Sequence, residues 1–327
     1  MPSYLHFGED DFLRCRFAVS PLWETQQAVR MLKHPERHGY HAHWLRRTGR
    51  AAAALDLTDL WLLMPRHGHC PDWLCPPPIG PAAGFEEEIA AVRASDPEEA
   101  RADTAKSLAD TPGGLDSAQA RRWLRDPARM VRELSDAMEE VWHTLLAPDW
   151  ARLRALLEAD VAFHSRRLAE VGLGRLLPEI NRRFGWRAGT LTVEFRGRHE
   201  RHLGGQGLVL MPSVFLWPDV VSTFDPPWQP TLAYPARGIG GLWAAPDDRT
   251  PEALARLLGR GRAAVLAALD EPAATTALAL RLGLAPSSVS AHLTVLREAG
   301  LLTSRRYGHQ VLYERTPLGI ALVSGDG

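Results

Sequence analysis

LALRLGLAPSSVSAHLTVLREAGLL, residues 278–302, is the stretch on which the reading of this chain turns. Val289, Leu293 and Leu296 recur at i, i+4 and i+7, which puts them on one face of a helix spanning Pro286–Ala299. Gly283-Leu284-Ala285 makes a turn before it, and a shorter helix, Thr275–Leu282, precedes the turn. Further upstream, after Glu271-Pro272, lies an amphipathic helix over Pro251–Leu269, with Leu254, Leu257, Leu258, Val265, Leu266 and Leu269 on its apolar side. Downstream, Gly300 stops the long helix. Leu301–Tyr307 and Gln310–Arg315 then read as two strands joined at Gly308-His309. The order is helix, helix, turn, helix and a two-stranded wing.

The face of Pro286–Ala299 opposite its apolar residues carries Ser287, Ser288, Ser290, His292, Thr294 and Arg297. Short hydroxyls near a helix N-terminus suit phosphate, because free N–H groups and the helix dipole favour an anion there. The same side chains can hydrogen-bond base edges in a major groove, which admits a helix. Thr275 and Thr276 open the preceding helix, and Arg305, Arg306, His309 and Gln310 cluster toward the wing tip. These twelve residues are the expected DNA contacts.

The segment Leu278–Leu302 resembles the winged helix of ArsR-type bacterial transcriptional regulators. That resemblance implies a DNA-reading helix at Ser287–Thr294 and a homodimeric repressor on a palindromic operator, released by an effector. HFGEDDFLRCRFAVSPLWE (residues 6–24), PDWLCPPP (71–78) and GLVLMPSVFLW (207–217) resemble the upstream domain of a high-GC bacterial subgroup of these regulators. Residues 251–327 contain no cysteine, and the tail TPLGIALVSGDG has no histidine. The family's usual metal sites are therefore not expected, and no cofactor is implied.

The chain has 327 residues and a net charge of −1, enough for two domains. Residues 251–327 hold eight arginines and six acidic residues, so the C-terminal part is slightly basic within a near-neutral whole. No run of 18 apolar residues occurs, the start MPSYLHFGEDDF lacks a signal core, and there are three cysteines. These features point to a cytoplasmic protein without a membrane span or disulfide framework. Most of residues 1–180 reads as helix, with short extended pieces at Tyr4–Phe7 and Arg14–Val19. Thr190–Phe195, Gly207–Met211, Val220–Phe224 and Thr231–Tyr234 read as a small sheet. The expectation is an α+β chain in two parts. Residues 1–240 form a mainly helical domain with a small sheet at 190–235, for dimerisation, effector sensing or both, and residues 250–318 form a winged helix-turn-helix.

Two weaker features lie upstream. His67, His69, Cys70 and Cys75 offer four borderline-to-soft ligands within nine residues, a set that zinc accepts. Their spacing matches no familiar zinc module, and a proline-constrained loop with incidental His and Cys is the favoured reading. Trp217, Trp228 and Trp243 either pack the sheet or line an apolar effector pocket. No HExxH, GxSxG or GxxxxGK[ST] pattern is present, so the expectation is a non-enzyme. The competing reading is a metal-binding protein or enzyme in the N-terminal part, with the winged helix serving protein contact.

Overall fold

The computed structural model describes residues 2–35, 39–65, 68–78, 80–81, 83–194, 199–216, 219–223, 225–243, 252–270, 272–307 and 310–324. It divides into two compact units: Met1–Lys33 with Arg50–Ala236, and His34–Gly49 with Arg237–Gly327. The fold is α+β. Residues 34–49, which the sequence reading placed in the N-terminal domain, group with the C-terminal unit.

The first unit combines helices with two four-stranded sheets. Its strands are β1 (Pro2–His6), β2 (Arg16–Phe17), β3 (Phe184–Arg187), β4 (Thr190–Glu194), β5 (Glu200–His202), β6 (Val209–Ser213), β7 (Val221–Thr223) and β8 (Thr231–Pro235). One sheet runs β3-β4-β1-β5 and the other β2-β6-β8-β7. The expected single small sheet at 190–235 is thus two sheets, and each takes in an N-terminal strand. In the first, β1 pairs antiparallel with β4, Leu5 facing Leu191. In the second, β2, β6 and β8 are parallel. All five residues of β6 are buried, as expected of a strand covered on both faces.

One apolar cluster joins both sheets to the helix Leu173–Ile180. Leu5, Phe184, Leu191 and Val193 come from one sheet, Phe17, Leu210, Leu232 and Tyr234 from the other, and Leu173, Leu176 and Leu177 from the helix. Burial at about 25 cal/mol per Å² makes such a cluster the main source of stability. The helix Pro21–Leu32 is buried on nearly every side, its polar Glu24, Thr25, Gln26 and Gln27 included. Ser20 caps it by accepting from the Trp23 N–H at 2.9 Å. The helical reading of residues 1–180 is met at Phe85–Arg93, Pro97–Asp110, Ala118–Arg125, Pro127–Val141 and Trp150–Val171.

In the second unit, the expected helix Pro251–Leu269 is two, Glu252–Leu258 and Arg260–Ala267, divided at Gly259 with φ +82°. Thr275–Leu282 and Pro286–Glu298 follow. The wing has three strands rather than two: β10 (Leu302–Tyr307), β11 (Gln310–Arg315) and the two-residue β9 (Ala273–Ala274), in the order β10-β11-β9. A last helix, Pro317–Ser324, closes the unit. Val265, Leu266, Leu278, Val289, Leu293, Leu296 and Leu302 are among the residues forming its core. Among the described residues, no helix is long and apolar enough to cross a membrane.

Candidate nucleic-acid interface

Two glycines set the geometry of the helix pair. Gly283 ends Thr275–Leu282 in the left-handed region (φ +63°), and the Leu284 N–H reaches back to the Ala279 carbonyl at 3.0 Å. Gly300 (φ +72°) follows Pro286–Glu298, where the Leu301 N–H bonds the Leu296 carbonyl at 2.9 Å. Both ends close with the 6→1 bond of a Schellman motif, which favours glycine at the left-handed position. The chain therefore reverses sharply at 283–285 and enters the second helix at Pro286, whose fixed φ suits the first helical position.

That second helix is strongly two-sided. Val289, Leu293 and Leu296 are buried, while Ser287, Ser288, Ser290, Ala291 and Arg297 are exposed. Its N-cap, Ala285, has no capping side chain, and no acidic residue stands in its first turn. The preceding helix begins in the same way, with Ala274 as cap, Thr275 half-buried and Thr276 exposed. Four helices of the first unit carry side-chain caps, at Ser20, Asp96, Ser117 and Asp126, while others such as Trp150–Val171 do not. An uncapped N-terminus keeps its donors and positive dipole end for an outside anion.

Two residues expected on the reading face are engaged elsewhere. The His292 ring is half-buried against Gly261, where an added Cβ would come within 2.5 Å of Nε2. The Thr294 hydroxyl donates to the Ser290 carbonyl at 3.1 Å, a bond to the preceding turn. On the wing, Arg306 is exposed and faces Val311 across the hairpin. His309 lies outside the described residues, as do the side chains of Arg305 and Gln310, although Arg305 is paired with Leu312 and Gln310 with Tyr307 in the ladder.

Internal polar bonds hold the unit rigid. Arg281 donates to the Ala268 carbonyl at 2.7 Å and to Asp270 at 2.6 Å, bracing the turn before β9. Arg315 is buried and donates to the Leu269 carbonyl at 2.6 Å, and burial lowers its pKa from the ordinary arginine value. These arginines are structural, a role that sequence spacing does not distinguish from DNA contact.

A model described as a helix-turn-helix domain matches residues 260–305. Residues 260–305 are a DNA-binding helix-turn-helix. Residues 81–240 match a family of unknown function (DUF5937), which covers just under half of the chain. No curated protein and no solved structure is significantly similar to the chain. The helix-turn-helix places the chain among DNA-binding transcription regulators, with double-stranded DNA as the partner.

The upstream candidates fall differently. Trp217 and His67 lie outside the described residues. Trp228 is half-buried in the first unit, where its carbonyl accepts from Arg201 at 3.2 Å. Trp243 belongs to the second unit and is buried. Its indole N–H donates to His41 Nδ1 at 3.0 Å, and its ring lies 6.1 Å from that of Trp44. Cys70 accepts from the Arg30 guanidinium at 3.1 Å, and Cys75 is buried with its thiol pKa pushed well up, chiefly by burial. His69 turns instead to Asp103.

Proposed function

We propose that the chain is an ArsR-type homodimeric repressor of the high-GC bacterial subgroup, whose N-terminal region, residues 1–240, dimerises and senses an effector. The observation that carries this reading is the exposed polar edge of Pro286–Glu298, backed by a buried apolar edge and opened by an uncapped N-terminus. Two such helices enter successive major grooves of a palindromic operator, about one helical turn apart. Ser288 and Ser290 read base edges. Ser287, Thr275 and Thr276, with the helix N-termini, hold phosphates, and Arg297, Arg305 and Arg306 add positive charge along the duplex. His292 and Thr294 support the helix rather than read bases, given the contacts they make. The sequence reading adds His309 and Gln310 as further contacts, to phosphate or to a neighbouring minor groove.

The test is fluorescence anisotropy of the full chain titrated into its own upstream DNA, with unrelated competitor, at two salt concentrations. Binding that survives competitor and weakens steeply with salt is expected, because base contacts add to counterion release. Binding that competitor abolishes equally on every sequence would defeat the reading. Sedimentation of the free protein and of the complex checks the dimer.

A further inference from the structure

In the first unit, residues 68–78 fold over the helix Pro97–Asp110 and bring three ligand-bearing side chains together. His69 Nε2 lies 2.6 Å from Asp103 Oδ1, and with Asp72 these groups present one nitrogen and two carboxylate oxygens within 4.8 Å of one another. All three residues are half-buried. The two sulfur atoms that the sequence reading grouped with His69 are not part of this set.

Each ligand is held by its own anchor. Asp103 Oδ2 accepts from the backbone N–H of Asp72 at 2.6 Å and of Trp73 at 3.4 Å. The Thr223 hydroxyl donates to Asp72 Oδ1 at 3.2 Å. The His69 backbone N–H donates to Asp110 at 2.7 Å, which fixes the residue's place in the loop. Outer partners of this kind fix the direction of metal ligands and sharpen affinity. The group also carries two neighbouring carboxylates in a site that is mostly shielded from water. The only ammonium recorded near it among the described residues is Lys106, 3.7 Å from Asp103 and largely exposed.

We propose that His69, Asp72 and Asp103 form a binding site for a divalent transition-metal ion of the Zn²⁺ or Co²⁺ class. One imidazole with two carboxylates suits these borderline ions, whereas Mg²⁺ and Ca²⁺ prefer oxygen alone. Three protein ligands leave a position for water. The ion takes the place of the proton that His69 Nε2 and Asp103 Oδ1 share, and that proton leaves to solvent. With metal bonds of about 2.0–2.2 Å to each, the two atoms separate to roughly 3.0–3.4 Å. A small rotation of the His69 ring supplies that opening.

The full chain, stripped with chelator, is titrated with Zn²⁺ by calorimetry and with Co²⁺ by absorption. One ion per chain is expected, with a cobalt spectrum free of sulfur-to-metal charge transfer. Asp72→Asn and His69→Ala each weaken binding by about tenfold or more, while circular dichroism stays native. Both variants spare the Asp103 carboxylate that anchors the loop backbone. Cys70→Ser leaves binding unchanged. The proposal fails if the wild-type chain takes up no metal saturably. It fails equally if uptake survives both Asp72→Asn and His69→Ala, or if a sulfur band appears and vanishes in Cys70→Ser.

Discussion

The Tyr40 hydroxyl donates to the backbone carbonyl of Arg315 at 3.1 Å, a bond spanning 275 residues of sequence within one compact unit. Tyr40 is mostly buried, and burial raises its phenol pKa well above the ordinary range, so the group stays a donor at any working pH. Tyr40→Phe leaves that donation unmade and is expected to destabilise the helix-turn-helix unit by about 0.5–1.5 kcal/mol. Trp243→Ala empties a buried site between His41 and Trp44, with a larger expected loss of about 3–5 kcal/mol. Denaturant unfolding followed by far-UV circular dichroism reads both. If neither variant shifts a transition, residues 34–49 do not contribute to the unit's stability.

Asp11 ties the start of the chain to the glycine turn before β6. Its two carboxylate oxygens accept from the Gly8 N–H at 2.8 Å and the Gly207 N–H at 3.0 Å. Asp11→Ala orphans both donors, at about 1–3 kcal/mol for each that remains buried. Gly207→Ala is expected to be worse. A Cβ there would stand 2.5 Å from the Arg14 carbonyl carbon, and φ is +68°. Backbone, unlike a side-chain tip, cannot swing away. Thermal melts of the two variants should rank Gly207→Ala below Asp11→Ala, and the opposite order would refute the argument.

Glu24 and Glu88 stand near the buried start of Pro21–Leu32, and burial pushes each up to about 7 from an ordinary 4.5. Hydrogen bonds from Val214 N–H to Glu24, and from Leu22 N–H and the Ser20 hydroxyl to Glu88, offset only part of that. Between about pH 4.5 and 7 the folded chain therefore holds protons that the unfolded chain has lost. Stability falls as pH rises through this window, by roughly 1.4 kcal/mol for each unit of raised pKa. The first unit should melt higher near pH 5.5 than near pH 7.5. Glu24→Gln and Glu88→Gln should each flatten that slope. An unchanged slope in both variants would mean that neither group carries it.

The helix pair was legible because its signals are local. Val289, Leu293 and Leu296 repeat at helical spacing, and Gly283 and Gly300 mark the ends where the structure closes them. What escaped was pairing over long separations. Nothing in Pro2–His6 announces that β1 lies between β4 and β5, nearly two hundred residues on. Ala273-Ala274 has no strand signal, and β9 exists only because β11 lies alongside. The exposed polar face of Pro286–Glu298 was legible as a pattern, but pattern could not say that His292 turns inward to Gly261. Nor could spacing place Asp103, thirty-four residues from His69, in the same group as Asp72.

Arg306 and Ser290 should separate two kinds of DNA contact. Arg306 is exposed on β10, and Ser290 on the second turn of Pro286–Glu298. On the proposed reading, Arg306→Ala removes one charge that faces phosphate. Binding should weaken on all sequences alike, and the slope of log K against log salt should fall by about one. On the same reading, Ser290→Ala removes a base-edge partner without touching charge. The salt slope should hold, while discrimination between operator and unrelated DNA narrows by about 1 kcal/mol. His292→Ala should behave as neither, because its ring packs on Gly261. Affinity and unit stability should drop together, with sequence preference intact. Anisotropy titrations across salt, on two sequences, distinguish all three. If Arg306→Ala and Ser290→Ala changed slope and discrimination in the same way, the division between phosphate and base contacts would be wrong.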